Sequence, residues 1–229
     1  MRLAVGILGA VVLASNPALA NDASHPTVVE LYQSQGCSSC PPAIANINAI
    51  ADRPDVLALT FAVTYWDELG WKDTFARAEF TDRQWDFARA NRRGGVATPQ
   101  TVVNGHVFAN GGDRSELTAA IRSADRGATG PAISASGGKL LVGSAAAKRP
   151  ATIWLVRYDP RVVNVPIRAG ENQGRTIAHR NVVRSLSVLG RWTGGQVALQ
   201  LPAARDRILR SAILVQSGTG GPIIAAAKL

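Results

Sequence analysis

The two cysteines of the chain, Cys37 and Cys40, are separated by two serines. A Cys-x-x-Cys pair can form a short disulfide, exchange electrons with other thiols, or bind a soft metal ion. The thiolate is the reactive form in disulfide exchange, and the unpaired N–H groups at the start of a helix stabilise it. The chemistry of the pair therefore depends on the elements that position it.

A predicted strand precedes the pair and a predicted helix follows it. Residues 27–32 are rich in β-branched and apolar side chains, and residues 43–51 carry isoleucines at threefold spacing. Because Pro41 has no N–H and biases Cys40 away from helical geometry, the helix is expected to start at Pro41 rather than Ser38. Cys37 then lies one turn before the helix, where the dipole lowers its pKa less.

A second apolar run, Val56 to Val63, predicts another strand and hence a parallel βαβ unit. Open α/β sheets bind ligands at the carboxyl ends of their strands. Tyr65, Trp66 and Asp67 follow this strand directly, so we expect them to line the same crevice as Cys37. They are either a substrate-binding wall with a carboxylate or an aromatic cap over the core.

The next segment predicts surface helices, a hairpin and a further helix. Residues 72–91 have the apolar spacing of one or two amphipathic helices. Asn104-Gly105 between two β-rich runs is a strong hairpin signal, and Pro99 opens the first of these strands. Asp113 is expected to cap a helix that runs to about Asp125.

This order of elements, with Cys-x-x-Cys at the first helix, resembles the thioredoxin fold. The resemblance implies that the Thr98–Pro99 bond is cis and that both residues face the cysteines. Glu30 is similar to the buried acidic residue of thioredoxins, although it precedes Cys37 by seven residues and theirs precedes the first cysteine by six. The resemblance therefore assigns Cys37, Cys40, Thr98, Pro99 and Glu30 to a catalytic site.

Four longer motifs resemble the DUF1223 family, exported thioredoxin-like proteins of proteobacteria whose function is unknown. They are Val-Glu-Leu-Tyr-x-Ser-Gln-Gly-Cys-Ser-Ser-Cys-Pro-Pro-Ala, Tyr-Trp-Asp-x-Leu-Gly-Trp-Lys-Asp, Thr-Pro-Gln-x-Val-Val-Asn-Gly and Gly-Glu-Asn-x-Gly-Arg-Thr. The resemblance covers almost all of the chain after its leader. It implies a fold more directly than an activity.

The chain is expected to contain a leader and two domains, α/β and then mainly β. Residues 1–20, with Arg2, an uncharged apolar core and Ala18-Leu19-Ala20, are typical of a secretory signal peptide. Residues 21–128 form the predicted thioredoxin-like domain with its helical insertion. Residues 129–229 predict an antiparallel, sandwich-like domain. Its expected strands are 132–136, 139–142, 152–158, 162–167, 179–189, 196–201, 211–216 and 223–228.

Between two of these strands, residues 170–179 are polar and glycine-rich and predict an exposed loop. Its Glu171, Arg175 and His179 could complete a crevice left open at the edge of the first domain. We therefore expect the loop to pack near Tyr65 to Asp67 and assign Glu171 and Arg175 to substrate binding.

Composition and the leader limit the partners. The formal net charge is +9, but the 25 Lys and Arg are scattered without the aromatic interleaving of a nucleic-acid groove. We expect a periplasmic or secreted protein with no nucleic-acid partner and no stable membrane insertion after signal cleavage. The sequence does not indicate an oligomeric state.

Three functions fit the cysteine pair. In a thiol–disulfide oxidoreductase acting on a protein or small thiol or disulfide, Cys37 would attack because it is reachable, and the more buried Cys40 would resolve. A copper chaperone would add His106 or His179 as a third ligand. A non-catalytic binding protein would keep the pair as a structural disulfide. The sequence predicts no cofactor, and it has no Gly-x-Ser-x-Gly hydrolase elbow.

Overall fold

The computed structural model describes residues 24–229, so the predicted signal peptide lies outside the described residues. This part of the chain is a mixed α/β structure with a large sheet and few helices. The helices are α1 Pro41–Ile50, α2 Ala78–Ala90 and α3 Arg114–Ser123. The strands are β1 Thr27–Gln33, β2 Val56–Ala62, β3 Gln100–Val103, β4 Val107–Ala109, β5 Ile133–Ser136, β6 Lys139–Val142, β7 Ala151–Asp159, β8 Val163–Pro166, β9 Thr176–His179, β10 Val182–Trp192, β11 Val197–Gln200, β12 Arg210–Ser217 and β13 Ile223–Lys228.

The large sheet has the strand order β13-β12-β7-β10-β2-β1-β3-β4. Strand β1 pairs with β2 in parallel and with β3 antiparallel, which confirms the predicted βαβ unit. The predicted hairpin is also confirmed, because β3 pairs with β4 across Asn104 and Gly105. Both residues have positive φ, 44° and 76°, as the two central residues of a type I′ turn require, and the His106 N–H closes the turn by donating to the Val103 carbonyl at 3.2 Å.

Strands from both predicted domains lie in this one sheet. The connection is narrow, because β10 pairs with β2 through a single register pair, Val182 with Thr60. The backbone N–H of Thr60 also donates to the carbonyl of Asn181, and that of Ile223 to the carbonyl of Asn104. The two halves therefore share a backbone hydrogen-bond network.

The region after residue 129 is mainly β, as predicted. A three-stranded sheet, β11-β6-β5, places Leu140 and Val142 in a buried cluster with Ile153, Trp192 and Ile213 of the large sheet. The strand predicted at 179–189 is confirmed over residues 182–189, which belong to β10, but its start is wrong. Two strands occupy this region, β9 and β10, because Asn181 turns the chain between them with a φ of 49°.

The helices cover opposite faces of the large sheet. Ile44 and Ile47 of α1 pack with Val29 and Leu31 of β1 on one face. Phe80 and Phe87 of α2 pack in the cluster that contains Val28 and Tyr32, which point to the other face because side chains alternate along a strand. All seven residues of β1 are buried as a result. The disulfide packs on the α1 face.

Candidate functional site

Cys37 and Cys40 form a disulfide with their Cα atoms 5.4 Å apart. Helix α1 starts at Pro41, as predicted, and Cys40 is its N-cap residue. The Cys40 N–H donates to the carbonyl of Cys37 at 3.1 Å, and the Ile44 N–H donates to the carbonyl of Cys40 at 3.0 Å. The Ser39 hydroxyl lies 3.4 Å from Cys37 Sγ. Ser39 can therefore donate a hydrogen bond to a Cys37 thiolate, which favours the charged form.

Both cysteines are fully buried, with 0% of each residue exposed. The prediction that Cys37 is reachable and Cys40 more buried is therefore wrong for this state of the protein. Ser38 and Ser39, between them, are exposed. A segment more than 130 residues further along the chain is hydrogen-bonded to the backbone of this cysteine loop.

That segment is the Gly170–Arg175 loop, which covers the cysteine loop. The Asn172 amide donates to the carbonyls of Gln35 at 2.9 Å and Cys37 at 2.8 Å, and Asn172 is itself fully buried. The Ser38 N–H donates to the carboxylate of Glu171 at 3.0 Å, and hydrogen bonding to Ser38 lowers the pKa of Glu171. Asn172 was not among the predicted site residues, although it belongs to the Gly-Glu-Asn-x-Gly-Arg-Thr motif.

The loop contacts the segment after β2 at Leu69 to Trp71, just beyond the Tyr65 to Asp67 stretch near which it was predicted to pack. Gly170 has a φ of 74°, and a Cβ on it would lie 3.1 Å from Trp71 Cβ. The Arg175 guanidinium donates to the Asn172 side-chain oxygen at 3.2 Å, which orients the Asn172 amide toward the backbone carbonyls. Arg175 also lines a cleft of about 440 Å³ beside Pro41 and Ile44 of α1.

Trp66 and Thr98 lie on another side of the cysteine loop. The Trp66 indole N–H donates to the Thr98 hydroxyl at 2.7 Å, and a Cβ on Gly36 would lie 3.6 Å from Trp66 Cβ. In the disulfide form the Ser39 hydroxyl donates its single hydrogen to the Thr98 carbonyl at 3.4 Å, and rotation of the hydroxyl would redirect this hydrogen to a Cys37 thiolate. The Thr98–Pro99 peptide bond is cis, as predicted. Ser39 thus lies between the Cys37 sulfur and the Thr98 backbone.

Tyr65 and Asp67 do not contact the cysteine loop through hydrogen bonds that the structure describes. The Tyr65 hydroxyl donates to Gln84 at 3.3 Å, and the Asp67 carboxylate accepts from the Asp73 N–H at 3.0 Å. Asp67 therefore binds the backbone of Asp73 rather than the cysteine loop.

Asp73 holds the residues before Cys37 in place. Its carboxylate accepts from the Gln35 N–H at 2.7 Å and from the Phe75 N–H at 2.8 Å. Burial raises its pKa to about 6, and the nearby Asp67 adds to the shift. Asp73 was not among the predicted site residues, although Asp73 is the last residue of the Tyr-Trp-Asp-x-Leu-Gly-Trp-Lys-Asp motif.

Glu30 is buried but lies on the opposite face of the sheet from the disulfide. Its carboxylate accepts two hydrogen bonds of 2.8 Å from Arg83 of α2 and one of 2.7 Å from the Tyr32 hydroxyl. Its position in β1 places it with Val28 and Tyr32, whereas the disulfide packs with Val29 and Leu31. The structure therefore gives Glu30 a partner other than the cysteines.

The histidines do not join the cysteines in a metal-binding group. Within residues 24–229, no three His, Cys, Asp or Glu side chains are arranged to hold a metal ion. His179 is fully buried and its ring stacks edge-on against Phe75, with centroids 5.5 Å apart. Burial, aided by the charge of Arg184, lowers its pKa to about 4, so it is neutral near pH 7.

The fold and the site define a mixed α/β protein that carries a covered Cys-x-x-Cys disulfide at the start of a helix. The chain matches the family described as protein of unknown function (DUF1223) over residues 28–216, and it belongs to that family.

Two solved structures are similar to it. Protein AGR_C_4864 from Agrobacterium tumefaciens is 29% identical, with a TM-score of 0.75 over 89% of this chain and 93% of that one. HBP35 of Porphyromonas gingivalis is 11% identical, with a TM-score of 0.61 over 90% of this chain and 75% of that one, which is a likeness of fold alone. No curated protein matches the sequence. Among the described helices, none is both long and apolar enough to cross a membrane.

Proposed function

We propose that the protein is a thiol–disulfide oxidoreductase of the periplasm or the secreted fraction, acting on a protein or small thiol or disulfide. The observation that carries this proposal is the position of the Cys37–Cys40 disulfide at the N-terminus of α1, next to the Thr98 backbone. A helix N-terminus favours a thiolate. A four-residue disulfide loop gains little from loop closure, so stabilisation alone is a weak reason for it.

We further propose that residues 27–123 form a thioredoxin-like unit. The parallel β1–β2 pair, the antiparallel β1–β3 pair and the β3–β4 hairpin support this, with α1 and α2 on opposite faces. Thr98 immediately before β3 and the cysteines immediately before α1 meet at one end of this arrangement. That meeting point is where a substrate strand would pair.

The proposed reaction transfers two electrons between the cysteine pair and a substrate disulfide. In the reducing direction, the Cys37 thiolate attacks one substrate sulfur, a mixed disulfide forms, and the other substrate sulfur leaves as a thiolate that takes up a proton. The Cys40 thiol then loses its proton, and the resulting thiolate attacks Cys37 Sγ. This forms the Cys37–Cys40 disulfide and releases the second substrate sulfur as a thiol. The oxidising direction is the reverse.

The reduction potential of the pair tests the proposal. We expect the disulfide to equilibrate with a glutathione buffer at a potential above about −300 mV, the range below which structural disulfides of secreted proteins typically lie. The measurement is acid quenching across a set of buffers, thiol alkylation and a mass count of free cysteines. A potential below that value would favour the alternative, a binding protein with a structural disulfide, which the burial of both cysteines also fits.

We propose that the Gly170–Arg175 loop moves to admit a substrate to the buried cysteines, so Asn172→Ala should accelerate reduction. The substitution removes both amide hydrogen bonds to the cysteine loop. If opening the loop costs these two bonds, at about 1 kcal/mol each, the rate of reduction by dithiothreitol should rise by a factor of about 10 to 30. The measurement is the rate of thiol appearance under pseudo-first-order conditions.

Asn46→Ala is the matched control, because the Asn46 amide also donates to two carbonyls, those of Gly111 and Gly112, away from the cysteine loop. It should leave the rate unchanged. An Asn172→Ala variant that is reduced at the wild-type rate while remaining folded would show that this loop does not limit access.

A further inference from the structure

A cavity of about 600 Å³ lies at the other end of the large sheet. This volume is in the range of small-molecule sites. Four of its lining residues can carry positive charge, and none is Asp or Glu. The lining residues that matter here are His106, Arg126, Lys148 and Arg149, with Ala146, Ala147 and Pro222 among the apolar ones.

The guanidinium of Arg126 is fixed and only partly satisfied. Its Nη1 donates to the Asn104 side-chain oxygen at 3.1 Å, and that oxygen also accepts from the Val28 N–H at 2.9 Å. Its Nε and Nη2 atoms are buried and have no hydrogen-bond partner among residues 24–229. Burial lowers the pKa of Arg126 to about 10, and the nearby Asp125 only partly offsets this shift.

Other arginines of this chain use the same Nε and Nη2 edge to bind a carboxylate with two hydrogen bonds, a geometry that suits planar anions. These pairs are Arg83 with Glu30, Arg53 with Asp55, and Arg161 with Asp159. The buried part of the Arg126 guanidinium makes an unbalanced charge costly, yet no carboxylate in the described part of the chain pairs with these atoms. The unbalanced charge of Arg126 therefore attracts an anion into the cavity electrostatically, without a direct hydrogen bond from these two buried atoms.

We propose that this cavity binds a small organic anion, a carboxylate or phosphate monoester on an apolar body. The headgroup is attracted by the Arg126 charge and contacts the exposed side chains of Lys148 and Arg149. The apolar body packs against Ala146, Ala147 and Pro222. Since the Nε and Nη2 atoms are buried behind the cavity wall, the exposed cations make the first contacts.

The site is remote from the disulfide. The cavity lies beside Asn104, which is hydrogen-bonded to Val28 near the start of β1, whereas the cysteines follow its end. Five residues of strand separate Val28 from Gln33, which is about 17 Å at 3.3 Å per residue. The proposal therefore stands or falls independently of the redox chemistry.

Isothermal titration of the full protein after signal removal tests this site with three probes, hexanoate, hexyl phosphate and 1-hexanol, at low ionic strength. Hexanoate or hexyl phosphate should bind with one site and weaken as salt is added, and 1-hexanol should bind at least ten times more weakly. The tighter of the two anions identifies the headgroup. Equal binding of 1-hexanol, or no binding of either anion, would overturn the proposal.

Arg126→Met removes the charge and keeps the length of the side chain. It should weaken anion binding at least tenfold, and its melting temperature without ligand should equal or exceed that of the wild type, because a buried charge without a counter-charge has been removed. Arg122→Gln, an exposed arginine on α3, is the matched control and should bind normally. Should Arg126→Met fail to fold, Lys148→Gln/Arg149→Gln provides the test. Anion binding unchanged in whichever variant folds would refute the assignment.

Discussion

Cys40→Ser is expected to accumulate mixed disulfides through Cys37, whereas Cys37→Ser should accumulate few or none. A serine at position 40 cannot resolve the intermediate, so the partner stays attached to Cys37. The structure gives a different reason for assigning the attacking role to Cys37 and the resolving role to Cys40. Equal burial of the two sulfurs gives no preference, but the Ser39 hydroxyl lies 3.4 Å from Cys37 Sγ and can stabilise its thiolate. Cys40, as N-cap of α1, lies next to the apolar side of the helix.

The experiment exposes both variants to a disulfide-bonded protein pool, quenches them in acid and separates them without reductant. Attack depends on the thiolate fraction and on access, so we expect at least about a tenfold difference in trapped species between the variants. The Cys37→Ser/Cys40→Ser variant gives the background. Equal trapping would mean that the two cysteines have no division of labour. A trapped species in Cys37→Ser alone would reverse their roles.

The sequence predicts the local elements around the pair well because short-range chemistry determines them. The two prolines after Cys40 set the start of α1, and Asn104-Gly105 sets the hairpin. The strands after residue 129 were also largely predictable from their apolar runs. Strand β9 was missed because its four residues lie in a polar, glycine-rich region and gain burial only by packing on α1 and Phe75.

Long-range pairings could not be read from the sequence. The sequence predicted that residues 170–179 pack near the cysteine crevice, but it did not indicate the hydrogen bonds from Asn172 to the cysteine loop, which join residues more than 130 positions apart. Cys37, which was expected to be exposed, lies in a buried cluster with Leu31, Ala43 and Ile44. The single register pair between β10 and β2 could not be predicted either, because nothing in the sequence around Val182 and Thr60 indicates that their strands share a sheet. Asp73 could have been predicted as a site residue, since it is the last residue of one of the four family motifs.

Glu30 is buried, as predicted, but its side chain lies on the face of the sheet opposite the cysteines, which was not predicted. The strand pattern indicated a buried acid, but a buried carboxylate must have a partner. That partner is Arg83 on α2, 53 residues away and 5% exposed, which also donates to Gln216 of β12 at 3.0 Å. The charge pair therefore connects β1 and α2 to a strand from the second half of the chain.

Arg83→Met should accordingly destabilise the protein by about 3–5 kcal/mol, because it leaves Glu30 buried without a counter-charge. The double variant Glu30→Leu/Arg83→Met should recover most of this loss, since replacing both members of a buried pair by apolar side chains is often nearly neutral. The measurement is urea unfolding followed by both fluorescence and circular dichroism. Arg89→Met, which breaks the exposed pair with Asp86, is the control and should cost less than about 1 kcal/mol.

The same experiment measures how strongly the two halves of the chain depend on each other. Because both halves contribute strands to one sheet and Arg83 bonds to groups from each, the wild type should unfold in a single transition seen equally by both probes. If the Arg83–Glu30 pair supplies much of the coupling between the two halves, Arg83→Met should separate the transition seen by fluorescence from the one seen by circular dichroism. The double variant also lacks the hydrogen bond to Gln216. It should regain stability while its two transitions remain separate. Coincident transitions in all variants would assign the coupling to the backbone pairing of β10 with β2 instead.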